Sequence, residues 1–316
     1  MRRGEFPILD DEIVYLDSAC MSLKPRSVIE KVEEYYREYP ACSGRSSHSV
    51  SRRAQEELES ARRKVASFID APADNLVFTS GTTESINTVA RGLDFDRVFL
   101  TDKEHNSNRE VWEELGAEII EMKGLDKSYL ASEINENDLL SILHVSNLDG
   151  EEFDIESACR IAHENDAFSL VDAAQSIPHT NFSVQDYRAD FVAFSGHKML
   201  GPTGTGALYV SDRVKDKLEP LKYGGGAVRG TENGETVMEK FPKNFEPGLR
   251  NIAGFTGFGA AAEYLESVGM QEIERHESRL TEMMVDGLEE LGFEVINRGP
   301  GIVSIPTESM SPGEVA

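Results

Sequence analysis

Short runs rich in Val, Ile, Leu and Phe alternate along the chain with longer stretches in which apolar positions recur at helical spacing. The runs NLVFTS (75–80), RVFLTD (97–102), LLSILHVS (139–146), FSLVDAA (168–174), DFVAFSG (190–196) and TGALYVS (205–211) read as strands. Between them, residues 47–69, 83–93, 108–117 and 154–165 read as helices. This alternation predicts an α/β fold built on a mostly parallel sheet. From about 212 to 250 the pattern breaks into a Gly-rich stretch containing YGGG and FEPGLRN, too long for an ordinary connection and so functional or a domain border. Two helical patterns follow, 254–269 and 270–292, and then two short strand-like runs, FEVIN and GIVSIP, that belong to a smaller unit. The final SPGEVA reads as a helix start, with Ser311 as N-cap and Pro312 in the first position, so the small unit is expected to be cut short here. No internal repeat interrupts the pattern.

Composition narrows the partners. With 316 residues, 39% of them hydrophobic, the chain can bury a large core and suits a large domain with a smaller companion. The 57 acidic against 32 basic residues leave a net charge of −25, which repels phosphate backbones and anionic membranes. The N-terminus MRRGEFPILDDEIVYLD lacks the apolar core of a signal peptide, and no run of about 18 apolar residues is present, so a cytoplasmic location is expected. Three widely spaced cysteines, Cys20, Cys42 and Cys159, form neither a disulfide framework nor a paired-cysteine zinc pattern, and no metal is expected.

The candidate chemistry gathers where strands end. In FVAFSGHKMLGPTGTGALYV, Lys198 sits at a strand end before Gly201, Gly204 and Gly206. A confined lysine there is a nucleophile toward a carbonyl; the alternative is a surface lysine in a flexible turn. Asp172 ends the strand in LVDAAQSIPH, with Gln175 three residues on. Its carboxylate either pairs with a pyridinium nitrogen or caps a helix. In LVFTSGTTESIN a strand turns into a helix whose free N–H groups, with Thr82 and Thr83, form an anion site or else a plain cap using Glu84. His105 can stack on a flat ring or be merely exposed and hydrogen-bonded; Asn147 can donate to a phenolic oxygen or begin a turn. Ser195 and His197, flanking the lysine, are further phosphate candidates.

Together the stretches YLDSACMSLKP, GRSSHSVSRRA, FTSGTTESIN, EHNSN, VSN, VDAAQSIPH, FSGHKMLGPTGTGALYV, YGGG and FEPGLRN resemble the class V, fold-type I pyridoxal-phosphate enzymes, and most closely their cysteine desulfurase and selenocysteine lyase branch. The resemblance implies that Lys198 forms the Schiff base and acts on the α-proton and that Asp172 pairs with the pyridine nitrogen. It places Gln175 and Asn147 near the phenolic oxygen, His105 on the ring in a catalytic position, and Thr82, Thr83, Ser195 and His197 on the phosphate of pyridoxal 5′-phosphate. It further implies a seven-stranded mixed sheet with helices on both faces in a large domain over 14–250. A smaller domain would be formed from 1–13 and 251–316, in a homodimer acting on L-cysteine, with a sulfur-acceptor or scaffold protein as a further partner.

Some positions depart from that pattern. The family's sulfur-accepting cysteine and its carboxylate-binding arginine are expected beyond Ala316. In FEPGLRN, Leu249 stands where the family usually has a threonine reaching the neighbouring subunit's phosphate; either Arg250 takes over that contact, or the contact is missing and cofactor binding is weaker. Cys42, near Arg45, is the internal thiol considered as a substitute acceptor, with a bystander role as the alternative; Cys20 and Cys159 read as packing residues. The rival functions are a selenocysteine lyase, another class V lyase, transaminase or epimerase, and a non-catalytic binding protein that keeps the fold.

Overall fold

The computed structural model describes residues 3–10, 13–44, 46–297, 299 and 301–306. Among these residues the chain runs through α1 (Arg26–Glu38), α2 (Ser49–Phe68), β1 (Leu76–Thr79), α3 (Thr82–Gly92), β2 (Arg97–Thr101), α4 (Glu110–Glu114) and β3 (Glu118–Met122). It continues through α5 (Lys127–Glu133), β4 (Leu139–Leu143), α6 (Ile155–Glu164), β5 (Phe168–Asp172), α7 (Val184–Tyr187), β6 (Phe191–Ser195) and β7 (Gly206–Val210). It ends in the hairpin β8 (Val228–Glu232) and β9 (Glu235–Met238), then α8 (Ile252–Val268) and α9 (Met270–Glu290).

Seven strands form one mixed sheet in the order β1-β7-β6-β5-β4-β2-β3. Strand β7 runs antiparallel to both β1 and β6, and the remaining neighbours are parallel. Every residue of β1, β4, β5, β6 and β7 is buried, as strands covered by helices on both faces require. The six strands anticipated from apolar runs are all present. Strand β3 was not anticipated, because EIIEM at the sheet edge is mostly exposed or half-buried and carries glutamates.

The helix α8 is apolar almost all round and is buried from Ile252 through Gly259, packing against α1 and α2. Gly259 permits that approach, since a Cβ there would lie 2.7 Å from the Cα of Ala61. Beneath the sheet, Arg62 of α2 and Glu246 form a buried pair with hydrogen bonds of 2.6 and 2.8 Å.

The Gly-rich stretch contains β8 and β9, joined at Asn233 and Gly234, both of positive φ as a tight two-residue hairpin turn demands. At the C-terminal end, the anticipated strands FEVIN and GIVSIP contribute a single antiparallel bridge between Ile296 and Ser304 among the described residues, a correction to the expectation of two strands. Ser311 and Pro312, the expected helix start, lie outside the described residues. Helix α9 is tied to the sheet side by a hydrogen bond of 2.9 Å between His179 Nδ1 and Glu277. The N-terminal residues lie against α8, where Tyr264 Oη donates to Glu5 at 2.5 Å and the rings of Phe6 and Tyr264 meet edge to face. No helix among the described residues is long and apolar enough to cross a membrane.

Candidate active site

The carboxyl ends of β2, β4, β5 and β6 open onto a cavity of about 490 Å³. That is where ligands of open parallel sheets bind. All nine residues singled out in the sequence line it: Thr82, Thr83, His105, Asn147, Asp172, Gln175, Ser195, His197 and Lys198.

Lys198 ends a short 3-10 turn, Gly196–Lys198, that begins directly after β6. The turn is held from outside by the N-terminal strap. Ser22 donates to the carbonyl of His197 through its N–H (3.1 Å) and its hydroxyl (2.8 Å), and Lys24 Nζ donates to the same oxygen at 3.1 Å. Ser22 Oγ also accepts from the N–H of Leu200 at 2.8 Å, a residue in the left-handed region at φ 60°. Lys198 is half-buried, and burial lowers its pKa, while Asp172 and Cys20 oppose that fall. Burial likewise lowers the pKa of His197, helped by the charges of Lys198 and Lys24, and brings Lys24 down to about 8.

Asp172, at the end of β5, is 7% exposed. Its Oδ1 accepts from Ala174 N–H at 3.0 Å, and no hydrogen bond reaches its second oxygen among the described residues. Burial raises its pKa, and the Ala174 bond, Lys198 and His105 work against the rise. It begins no helix, so the capping alternative does not apply. Gln175 is held over the cavity by donating to Ala19 O at 2.9 Å.

At the other wall, α3 starts at Thr82 behind Gly81. Thr82 N–H donates to Ser195 Oγ at 2.9 Å, the two side-chain oxygens lie 2.7 Å apart, and Thr83 Oγ1 meets Ser107 Oγ at 2.8 Å. Gly206 of β7 lets this corner close, because a Cβ there would fall 2.4 Å from the Cα of Gly81. Glu84 accepts from Ser80 N–H at 2.8 Å, one residue before the N-cap Gly81, so it ties the turn ahead of α3 without capping the helix itself. His105 is exposed, with Nδ1 accepting from Ser107 N–H at 3.1 Å. Asn147 stands at the start of a turn, half-buried.

The sequence reading missed several residues. Glu104, beside His105, is a buried carboxylate that accepts from Thr101 Oγ1 (2.8 Å), Asn108 Nδ2 (2.7 Å) and Leu143 N–H (2.9 Å). It joins the ends of β2 and β4, and burial pushes its pKa up to about 7, with Asp172 adding to the rise and the three donors holding it back. Cys20, expected to pack in the core, is instead exposed and lines the cavity, because it lies in a tight turn whose N–H groups at Cys20 and Met21 return to Asp17 O. Cys159 is buried as expected. Cys42 is exposed at a separate cavity of about 300 Å³ shared with Leu249 and Arg250, and Arg45 lies outside the described residues. Arg250 donates to Ser43 Oγ at 2.8 Å and does not line the Lys198 cavity.

Residues 14–316 match the family model described as aminotransferase class-V. A protein of Methanothermobacter thermautotrophicus named a probable cysteine desulfurase is 40% identical, the match covering 99% of this chain and 82% of that one. A cysteine desulfurase of Escherichia coli is 36% identical over 91% of this chain and 76% of its own length. The apo structure of the cysteine desulfurase from Thermococcus onnurineus superposes with a TM-score of 0.94 at 34% identity, covering 99% of this chain and 83% of that one. By sequence and by fold, the chain belongs to the class-V aminotransferase family, in its cysteine desulfurase branch.

Proposed function

We propose that this chain is a pyridoxal-phosphate-dependent cysteine desulfurase that converts L-cysteine to L-alanine and moves the sulfur on through an enzyme persulfide. The observation that carries the reading is one cavity lined by the half-buried Lys198 and by the buried residue Asp172, whose second carboxylate oxygen receives no hydrogen bond among the described residues. The donor set fits the cofactor: an amine for its carbonyl, a carboxylate for its ring nitrogen, and hydroxyls with a helix N-terminus for its phosphate. The relatives named cysteine desulfurase support the substrate.

When bound, the cofactor supplies an electron sink beside the substrate Cα. Asp172 would hold the ring nitrogen protonated; Thr82, Thr83, Ser195 and His197 would hold the phosphate; Gln175 and Asn147 would face the phenolic oxygen, with His105 against the ring. Because burial lowers its pKa, Lys198 Nζ has a larger neutral fraction near pH 7 than a surface lysine, so it can take the substrate's α-proton and return one. The Ser22 and Lys24 bonds to the His197 carbonyl hold the backbone of the Lys198 turn in place while its side chain moves. The same reading carries a homodimer, a cytoplasmic setting, an acceptor protein for the sulfur and a large domain over 14–250.

The test is to incubate the protein with pyridoxal phosphate, L-cysteine and a thiol reductant, and to quantify alanine and sulfide beside a Lys198→Ala control. Equal amounts of both, absent in the control, are expected. Pyruvate, a racemised amino acid, or cofactor binding without turnover would overturn the reading.

A further inference from the structure

Two buried side chains bracket the exposed His105, and the chemistry above uses neither. Glu104 is 9% exposed and Asn108 is wholly buried. A buried carboxyl group without a charged partner is costly, so its presence calls for a task that an apolar residue cannot perform. Its donors among the described residues are all neutral: Oε1 accepts from Thr101 Oγ1 at 2.8 Å, Oε2 from Asn108 Nδ2 at 2.7 Å, and both from Leu143 N–H at 3.1 and 2.9 Å. Thr101 and Leu143 end β2 and β4, and Leu143 stands opposite Asp172 in the sheet and lines the Lys198 cavity.

Asn108 carries the arrangement outward. Its Oδ1 accepts from Ser141 Oγ of β4 at 2.5 Å and from Trp112 Nε1 at 3.3 Å, so its amide cannot turn over without setting NH2 against the indole N–H. Asn108 closes the 3-10 turn Asn106–Asn108, its own N–H donating to His105 O at 2.7 Å. His105 caps that turn: Nδ1 accepts from Ser107 N–H at 3.1 Å, and Ser107 Oγ lies 2.8 Å from Thr83 Oγ1. The direction of the His105 ring is thus set by a turn whose buried end is held by Glu104.

We propose that Glu104 is a positioning residue: acting through Asn108, its carboxyl group fixes the turn that orients the His105 ring at the Lys198 cavity. The assignment rests on the reading in which His105 lies against the cofactor ring. An acceptor is required at both oxygens, because all three partners donate. In Glu104→Gln the shape is kept and one oxygen becomes an amide; Thr101 Oγ1 can turn to accept from it, while Leu143 N–H and Asn108 Nδ2 cannot. The turn then shifts, and a displacement of about 1 Å in a positioned group costs on the order of 10- to 100-fold in rate. The double substitution Glu104→Gln with Asn108→Asp moves the carboxylate to the other partner and restores each donor–acceptor pair.

The proteins are loaded with pyridoxal phosphate at pH 8, above the value of about 7 to which burial pushes the Glu104 carboxyl group. They are compared by visible circular dichroism of the bound cofactor, by alanine formed from L-cysteine per loaded molecule, and by urea titration. Glu104→Gln is expected to weaken the visible ellipticity and to lower turnover per loaded molecule by about 10-fold. The double variant restores both, and in a His105→Ala background Glu104→Gln costs much less. Wild-type ellipticity and turnover in a folded Glu104→Gln, or an equal loss in the His105→Ala background, overturns the proposal. Glu104→Asp, one methylene too short to reach both Leu143 and Asn108, decides the matter where Glu104→Gln does not fold: the same losses are expected, and wild-type signals overturn the proposal. Loss of folding in both variants makes the residue structural and overturns it as well. No alanine from a wild type that binds the cofactor overturns the desulfurase reading alone, and the ellipticity still decides the role of Glu104; no cofactor binding overturns both.

Discussion

Two regions of this molecule bury opposite charges, and they do so in opposite ways. Under the sheet, Arg62 and Glu246 are 2% and 6% exposed and leave little unmatched. The guanidinium makes two bonds to the carboxylate and a third, 2.8 Å, to Leu76 O, while Glu246 also accepts from Phe78 N–H at 2.8 Å. At the cavity, Lys198 and Asp172 share one space, and Asp172 keeps an oxygen without a donor among the described residues. A saturated buried pair is structural, since removing either partner strands a charge. An unsaturated one is tolerated only where a ligand completes it, and its cost to stability is the mark of a functional site.

Substitutions should separate the two. The largest effect is expected from Lys198→Ala, with turnover down by about 10⁴-fold and no loss of folding stability. Alanine formation and a denaturant titration measure the two halves of that statement; a loss of stability would erase the distinction. Glu246→Ala is expected to destabilise the fold by about 3–5 kcal/mol through the stranded Arg62, with turnover per folded molecule unchanged. Parallel urea titration and active-site counting check it.

Asp172→Asn is expected to lower turnover by about 10²-fold while stability holds or rises slightly, because a buried charge is removed. A drop in stability as large as that of Glu246→Ala would place Asp172 among the structural charges instead.

The smallest effect concerns Glu104, whose carboxyl titrates at about 7 in the fold against about 4.3 when unfolded. Between those values the folded protein keeps a proton that the unfolded chain has lost, so this group's contribution to stability falls as pH rises from about 4 to about 7 and is flat above. Denaturant midpoints at pH 5 and pH 8 are expected to differ less in Glu104→Gln than in wild type. An unchanged pH difference would remove Glu104 as its source.

The cavity residues were legible because they end buried apolar runs, as Asp172 does after FSLV and Ser195 after FVAF, or follow such ends within a few residues, and strand ends of parallel sheets are where ligands sit. Strand β3 was not, because an edge strand faces water and EIIEM lacks the apolar run that marked its neighbours. The hairpin β8–β9 had a local signal, Asn233-Gly234 between β-prone residues, which the surrounding glycines masked. Glu104 was passed over for its neighbour His105, since a carboxylate three residues past a strand end gives no sign of burial.

Sequence alone determined the alternation of strands and helices, and hence the sheet, because periodicity of apolar positions is a local property that each segment carries wherever it lies. It likewise determined which polar residues end those strands. Only the tertiary structure decided what stands opposite them. That Ser22 and Lys24 clamp a turn more than 170 residues away, that Gln175 reaches Ala19, and that Cys20 lines the Lys198 cavity rather than the core follow from where the N-terminal strap lies against the lysine turn and the loop after β5. Such contacts depend on long-range packing, and no spacing within the segment itself encodes them.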